Sequence, residues 1–260
     1  VAAVWKSRMI NLGIINSQAI PPLNPGLINW FDIADLSTVF AAGDLAEGVF
    51  DKSLSGNSLI ATGPRRPTTG TRNINGLNVF DFDGVDNRMV FDFQPLTGTV
   101  ARTIIVVGYA DAAVNQNILV SLAEGGVTDG DLYDIGCQIS VRGGGGVNNI
   151  FSNDPIDNGI PAILIITNKA NSTFESTAPT NNLNAYKNGK LLFSAESNNA
   201  DSSVNTRVST ASLGDQFSGT SNRLDGVIGE IQIYNFVLST IERQQRFASL
   251  SNKWRIPLAA

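Results

Sequence analysis

Short apolar runs separated by turn residues set the rhythm of this chain. Residues 77–82 and 89–93 alternate apolar and polar positions on either side of Asp83-Gly84-Val85-Asp86-Asn87-Arg88. That spacing predicts a hairpin with Phe80 and Phe82 on one side and Met89, Phe91 and Phe93 opposite, all of them core. Residues 104–107 and 163–166 are continuously apolar, as central strands covered on both faces are; periodicity alone also allows short buried helices, and β-branching decides for strand. Asn188-Gly189 predicts a type I′ turn, since both turn positions need positive φ. Its register sets Tyr186 opposite Leu191, with Lys187 and Lys190 at a solvated tip. Val227, Ile231 and Ile233 alternate with Glu230, Gln232 and Tyr234, which predicts a half-buried strand with one polar face. Ser239-Thr240-Ile241-Glu242 then forms a capping box, and Ile241, Phe247, Leu250 and Trp254 follow at helical spacing. One short C-terminal helix is expected, its apolar stripe against the sheets, with Pro257 ending the element.

Residues 1–26 read differently. They end in Pro21-Pro22-Leu23-Asn24-Pro25-Gly26, which resists both helix and central strand, and they carry Trp5, Met9, Ile10, Leu12, Ile14 and Ile15. The expectation is an extended arm that packs on the domain or on a neighbouring subunit, followed by one domain over residues 27–260. Lys6 and Arg8 interrupt the N-terminal apolar residues, so no signal peptide is expected within the chain, while an upstream one stays open.

Composition narrows the chemistry. Of 260 residues, 42% are hydrophobic and 16% charged, which suits a globular core and leaves no uninterrupted membrane span. The formal charge of −5 lacks the basic field that phosphate backbones require, so nucleic acid is not an expected partner. Histidine is absent, which removes imidazole bases and metal sites. The single cysteine, Cys137, closes no intrachain disulfide and reads as a small buried hydrophobe.

Several segments together resemble the concanavalin A-like lectin/glucanase domains of the laminin G-like type. They are Trp30-Phe31-Asp32-Ile33-Ala34-Asp35-Leu36-Ser37, Asp51-Lys52-Ser53, Asn75-Gly76-Leu77, Phe82-Asp83-Gly84-Val85-Asp86, and Leu224-Asp225-Gly226-Val227-Ile228-Gly229-Glu230-Ile231, with Tyr234-Asn235, Leu238-Ser239, Glu242-Arg243-Gln244 and Lys253-Trp254. The resemblance covers about residues 27–258. It implies an all-β fold, a two-sheet antiparallel jelly-roll sandwich. Domains of this type occur in bacterial surface proteins and in phage tails, fibres and capsid decorations, and the fold alone assigns no activity.

Glycosidases on this fold place two glutamates and an aspartate on one strand face. No Glu-x-Asp-x-x-Glu or Glu-x-Asp-x-Glu pattern is present, and Glu230 is followed by Gln232 rather than a second acid. Asp81, Asp83 and Asp86 are the one metal-like cluster, suited by chemistry to calcium; the twelve-residue spacing of an EF-hand is missing, and a turn at Asp83-Gly84 with Asp86 bonding nearby amides is the favoured explanation. Asp32 and Asp35 are expected to cap a turn that fixes Trp30 in the core. The glycine run at 143–146 lacks the lysine and hydroxyl of a P-loop, and Asn171-Ser172-Thr173 is a glycosylation sequon whose meaning depends on context. No Gly-x-Ser-x-Gly elbow occurs.

These readings point to a non-enzymatic structural or interaction module of a virion or cell surface, a phage tail or capsid-decoration component, without catalytic or cofactor residues. Its partners would be other virion or surface proteins, reached through the arm, and further copies of itself. A carbohydrate-binding module for host or surface glycans is the alternative, and a glycoside hydrolase the remote one. The expected location is a virion surface or extracellular. Because turn chemistry accounts for the acidic cluster, folding is expected to be independent of calcium. Thermal melting with and without a chelator checks this. The midpoint should move by less than about 4 °C, the shift that roughly a kcal/mol produces in a domain of this size; a larger drop would give Asp81, Asp83 and Asp86 a structural ion.

Overall fold

The computed structural model describes residues 26–53, 55–111, 117–123, 133–136, 139–141, 149–150, 159–170, 173–174, 183–194, 202–203, 206, 208–215 and 223–259. Residues 1–25 of the arm, Cys137, the glycine run and Asn171-Ser172 lie outside them. The described part is an all-β antiparallel sandwich with one α-helix, Thr240–Trp254.

One layer runs, by hydrogen-bonded neighbours, through Thr68–Ile74, Leu77–Asp83, Asp225–Tyr234, Arg102–Ala110, Ala162–Asn168, Leu183–Lys187 and Lys190–Ser194. Leu27–Asp32 continues the edge of Asp225–Tyr234 beyond Leu77–Asp83. The other layer runs through Val39–Ala42, Leu45–Phe50, Ser58–Ile60, Met89–Phe91, Ser212–Leu213, Ile118–Ser121, Tyr133–Gly136, Ile139–Val141 and Asn149–Ile150. The pairing of Leu45 with Thr68 joins the two layers.

The central strands of the first layer are buried on both faces, and their sequence shows why. Ile104, Val106, Leu164 and Ile166 enter the core between the layers, while Ile105, Val107, Ile163 and Ile165 enter a second core under the helix. A strand covered twice cannot alternate, so these runs are continuously apolar. Phe247, Leu250 and Trp254 close the second core from the helix side. Burial of a side chain of this kind contributes roughly 1.5–3 kcal/mol.

The helix starts at the expected capping box: Ser239 Oγ accepts from Glu242 N, and Glu242 Oε2 accepts from Ser239 N. It stops before Pro257, at Arg255 in the left-handed region (φ 52°). Asn75, at positive φ in the type I′ turn with Gly76, donates from Nδ2 to the carbonyls of Trp254 (2.8 Å) and Arg255 (3.2 Å). The Asn188-Gly189 turn has the expected positive φ values and register, Tyr186 opposite Leu191 and Lys187 opposite Lys190.

Four expectations are corrected. Leu77–Asp83 and Met89–Phe91 do not form a hairpin; they lie in opposite layers, and Phe80, Phe82, Met89 and Phe91 meet across the core. The connection between them is turned by Asp83, whose carboxylate caps three amides. Trp30 is half-buried on the outer face and Phe31 is the core residue. Ile241 is 67% exposed, because the six residues to Phe247 carry it about 120° around the helix; Arg243 takes its place on the stripe, 4.6 Å from the Tyr186 ring.

Asp225–Tyr234 is the fourth. Its polar positions are buried too, and its alternation breaks in the middle. Ile228 pairs with Gly108 but Glu230 pairs with Val107, so Gly229 is an extra residue, a β-bulge. Before it Val227 faces the helix side; after it Ile231 and Ile233 face the core and Glu230 takes the helix side. Gly229 also lies under the Trp254 indole, where an added Cβ would sit 2.5 Å from a ring carbon. Gly229→Ala should therefore lower stability by roughly 1–3 kcal/mol in denaturant unfolding, through displacement of Trp254. A neutral result would mean that the helix is not seated on the bulge.

Candidate functional site

Two polar clusters are built on ionisable residues of the first layer, and they differ in what they leave available. The first is built on Glu230, 2% exposed. Its Oε1 accepts from Trp30 Nε1 (2.8 Å) and Gln232 Nε2 (2.9 Å). Its Oε2 accepts from Lys253 Nζ (2.6 Å) and Trp254 Nε1 (2.9 Å). Tyr234 donates in turn to Gln232 Oε1 at 2.7 Å. The polar face expected on this strand is thus a ladder of side chains that satisfy one another beneath the helix.

The ladder continues outward through alternating charges. Lys253 also bonds Asp32 Oδ1 (2.5 Å), and Lys52 bonds Asp32 Oδ2 (3.1 Å) and Asp35 Oδ2 (2.7 Å). Burial works against the charge on Lys52, but its bonds to Asp35 and Asp32 outweigh it and hold its pKa above the ordinary value. For Asp35, burial is likewise outweighed by the bonds from Lys52 and Ser37, and its pKa falls. Asp35 does cap a turn, accepting from Ser37 N at 3.2 Å, whereas Asp32 serves the two lysines. Asp51 is structural as well: Oδ1 accepts from the amides of Trp30 and Ser53, both at 2.7 Å, and Oδ2 from Asn29 Nδ2 at 3.1 Å.

The second cluster lies at one pole of the sandwich, where Asp83, Ala110 and Gly136, the last residues of their strands, and Ala162 and Asp225, the first of theirs, come together. Arg72 places its fork on Asp111, Nη1 to Oδ2 at 2.7 Å and Nη2 to Oδ1 at 2.6 Å. The same guanidinium bonds Asp81 Oδ1 (3.1 Å) and the Tyr109 hydroxyl (3.0 Å), and lies 5.3 Å from the Tyr109 ring. Hydrogen bonding to Arg72 is the main cause holding Asp111 below its ordinary pKa. Asp225, beside Asp111, is shifted the other way, by burial first and by the Asp111 charge next. Val85 and Ile160, 61% and 62% exposed, each follow a glycine that lies beside this cluster, Gly84 next to Asp225 and Gly159 next to Asp111.

The three candidate metal ligands separate. Asp81 is held by Arg72. Asp83 Oδ1 accepts from the amides of Val85 (2.9 Å), Asp86 (3.3 Å) and Asn87 (3.4 Å), so Asp86 contributes its backbone to that cap. Among the described residues no three acidic, histidine or cysteine side chains converge as metal ligands. Arg72, Tyr109, Asp111 and Asp225 were not singled out from sequence; Arg72, the Tyr109–Asp111 pair and Asp225 are far apart in the chain, and only Asp225 falls in a segment that carries the family resemblance.

No protein-family profile and no curated protein sequence matches the chain. Solved structures match its fold. Domain 4 of AbnA, a GH43 extracellular arabinanase from Geobacillus stearothermophilus in complex with arabinotriose, aligns with a TM-score of 0.58 at 13% identity, over 84% of this chain and 97% of that one. The binding domain of Paraclostridial Mosquitocidal Protein 1 aligns with a TM-score of 0.57 at 13% identity, over 87% of this chain and 53% of that one. The botulinum neurotoxin serotype G binding domain gives 0.55 at 15%, over 86% and 51%, so this chain spans about half the length of each toxin domain. At such identities the likeness establishes a β-sandwich of the kind that these domains share.

The Glu230 cluster makes two predictions. Glu230→Gln keeps the shape but removes the charge and one acceptor, and should cost about 2–4 kcal/mol in urea unfolding at neutral pH. Burial pushes Tyr234 up to about 12, above its value in the unfolded chain. Its contribution to stability is therefore complete below about pH 10 and lost as pH rises through its folded value. Tyr234→Phe should remove that part of the alkaline slope in a pH series of melting curves.

Proposed function

We propose that this chain is a non-enzymatic binding module of the concanavalin A-like, laminin G-like kind, displayed on a cell or virion surface, that recognises a carbohydrate at the Arg72–Asp111–Asp225 rim. The observation that carries the reading is the rim itself. Partly exposed carboxylates are held in fixed orientation by an arginine fork, near exposed apolar side chains, at one pole of the sandwich. Sugar hydroxyls donate to oriented carboxylates, and the carbon-bound faces of a sugar pack on apolar groups. The Geobacillus domain was solved with arabinotriose, and the two toxin domains are named as binding domains, which supports a recognition role for a sandwich of this shape. Glu230, the acid that a hydrolase reading would use, has both oxygens taken by N–H donors.

A role in assembly, as a tail or capsid-decoration component, is compatible with the same module. Gly26, whose carbonyl accepts from Asn235 N at 3.0 Å, lies at the pole opposite the rim. The Asp225–Tyr234 strand between them has 10 residues and separates the two poles by roughly 33 Å.

A glycan panel followed by calorimetry tests the first reading. Val85→Asp and Ile160→Asp, on exposed positions that the fold does not need, should each weaken binding about tenfold, or about 1.4 kcal/mol, with unchanged far-UV circular dichroism. Binding that ignores both substitutions would move the site elsewhere. Release of reducing sugar by the wild-type protein would replace the reading with an enzymatic one. Removal of residues 1–25 should leave melting and glycan binding unchanged while abolishing incorporation into the native particle; normal incorporation would end the assembly reading.

A further inference from the structure

We propose that Asp51, Ser53, Ser55 and Asn29 form a binding site for a calcium ion just after the strand Leu45–Phe50. Asp51, Ser53 and Ser55 occupy alternate positions, and Gly56 follows them at φ 72°. Positions 1, 3, 5 and 6 of an EF-hand loop carry the same order of oxygen ligands and glycine. A bond from Asp51 N to the Asn57 carbonyl, at 3.1 Å, closes the turn. Leu59, where an EF-hand would place its ninth residue, is fully buried in the core, so only the first half of such a loop is present.

The oxygens outnumber the protons between them. Ser53 Oγ lies 2.7 Å from Asp51 Oδ2, 2.9 Å from the Ile28 carbonyl and 3.0 Å from Ser55 Oγ, and Ser55 Oγ also contacts Asp51 Oδ2. Two hydroxyl protons serve at most two of these four contacts as linear hydrogen bonds. A cation between Asp51 Oδ2, Ser53 Oγ and Ser55 Oγ removes the shortfall: Ser53 donates to Ile28, Ser55 donates to solvent, and their lone pairs face the ion. Asn29, on the first strand, points to the same place. It is fully buried, its Nδ2 lies 3.1 Å from Asp51 Oδ2, and its Oδ1 has no hydrogen-bond partner among the described residues. Reversal of the amide exchanges nitrogen and oxygen and brings Oδ1 to the ion as a fourth ligand. The charge agrees. Among the described residues no lysine or arginine pairs with Asp51, and Lys52 beside it is spent on Asp32 and Asp35. Ser55 is exposed, which leaves a side open for entry and for water to complete the roughly six to eight oxygens that calcium takes.

One carboxylate among neutral oxygens makes a weak site, with a Kd of about 0.1–1 mM, the range of extracellular calcium modules. Protein handled without added calcium does not hold an ion at that affinity, so the chelator comparison still reads Asp81, Asp83 and Asp86. The site shares no residue with the Arg72 rim, and glycan binding there is tested separately.

Calcium chloride titrated into the full chain tests the site. NMR follows the amides of Trp30 and Ser53, which donate to Asp51 Oδ1, and the side-chain amide of Asn29. All of them should shift together and saturate with one Kd of about 0.1–1 mM, and magnesium should bind at least about tenfold more weakly. Ser55→Ala removes a ligand at an exposed position and should weaken binding about tenfold, while Ser55→Asp adds a carboxylate and should tighten it about tenfold, both with wild-type far-UV circular dichroism. No saturable shift up to about 10 mM calcium, an equal response to magnesium, or wild-type affinity in both Ser55 variants would each overturn the site. Shifts confined to Asp81, Asp83 and Asp86 would overturn it too and place the ion there.

Discussion

A carboxylate shut away from water governs how this sandwich is put together. Burying an ionised carboxyl group costs several kcal/mol unless its charge and lone pairs are met, and Glu230 meets them with two indoles, an ammonium and an amide. Each donor belongs to a specified place: Trp30 to the first strand, Gln232 to the strand of Glu230 itself, Lys253 and Trp254 to the last turn of the helix. The four cannot assemble unless the first strand, the closing strand and the helix are all in register. The bulge at Gly229 turns Glu230 to the helix side, and the missing Cβ of the same glycine lets Trp254 lie flat enough to reach it. Charge burial and helix docking are in this sense one problem with one solution.

The rest of the polar chemistry follows from that constraint. Lys253 is 30% exposed and shared between Glu230 and Asp32, so the charge taken into the interior is passed outward in steps through Lys52 to Asp35. Exposed pairs in such a series contribute little individually, and their value lies in keeping the inner ones oriented. This face of the molecule is consequently committed to holding the helix. At the pole where Asp83, Ala110 and Asp225 meet, the same residue types do a different job: the Arg72 fork orients carboxylates that remain partly in solvent.

Much of the architecture was legible in the sequence because local rules decide it. Asn188-Gly189 needs only its own φ angles, Ser239 and Glu242 need only each other, and runs such as 104–107 announce burial on both faces by failing to alternate. Elements that depend on distant partners were misread. Residues 83–88 look like a hairpin loop until the capping by Asp83 is seen to turn the chain between layers. Gly229 looks like one more strand glycine until the register with Val107 and the Trp254 ring reveal the bulge. The rim was invisible for the same reason, since Arg72, Tyr109, Asp111 and Asp225 come together only through the order of strands in the sheet. Glu230 was recognised as the acid worth testing, but for chemistry rather than for the structural part that its neighbours assign to it.

The central claim is that Glu230 closes a buried layer shared by three elements, and the indole hydrogen of Trp254 reports on it directly. Native-state hydrogen exchange of Trp254 Nε1–H, followed by NMR over a urea series, gives the free energy of the opening that frees it. If the layer is closed as described, that free energy equals the global unfolding free energy measured under the same conditions, because the indole cannot leave Glu230 while the helix remains seated. Exchange through a local opening several kcal/mol below the global value, independent of urea, would contradict the account: the helix would then be an appendage, and Glu230 a buried charge met in some other way.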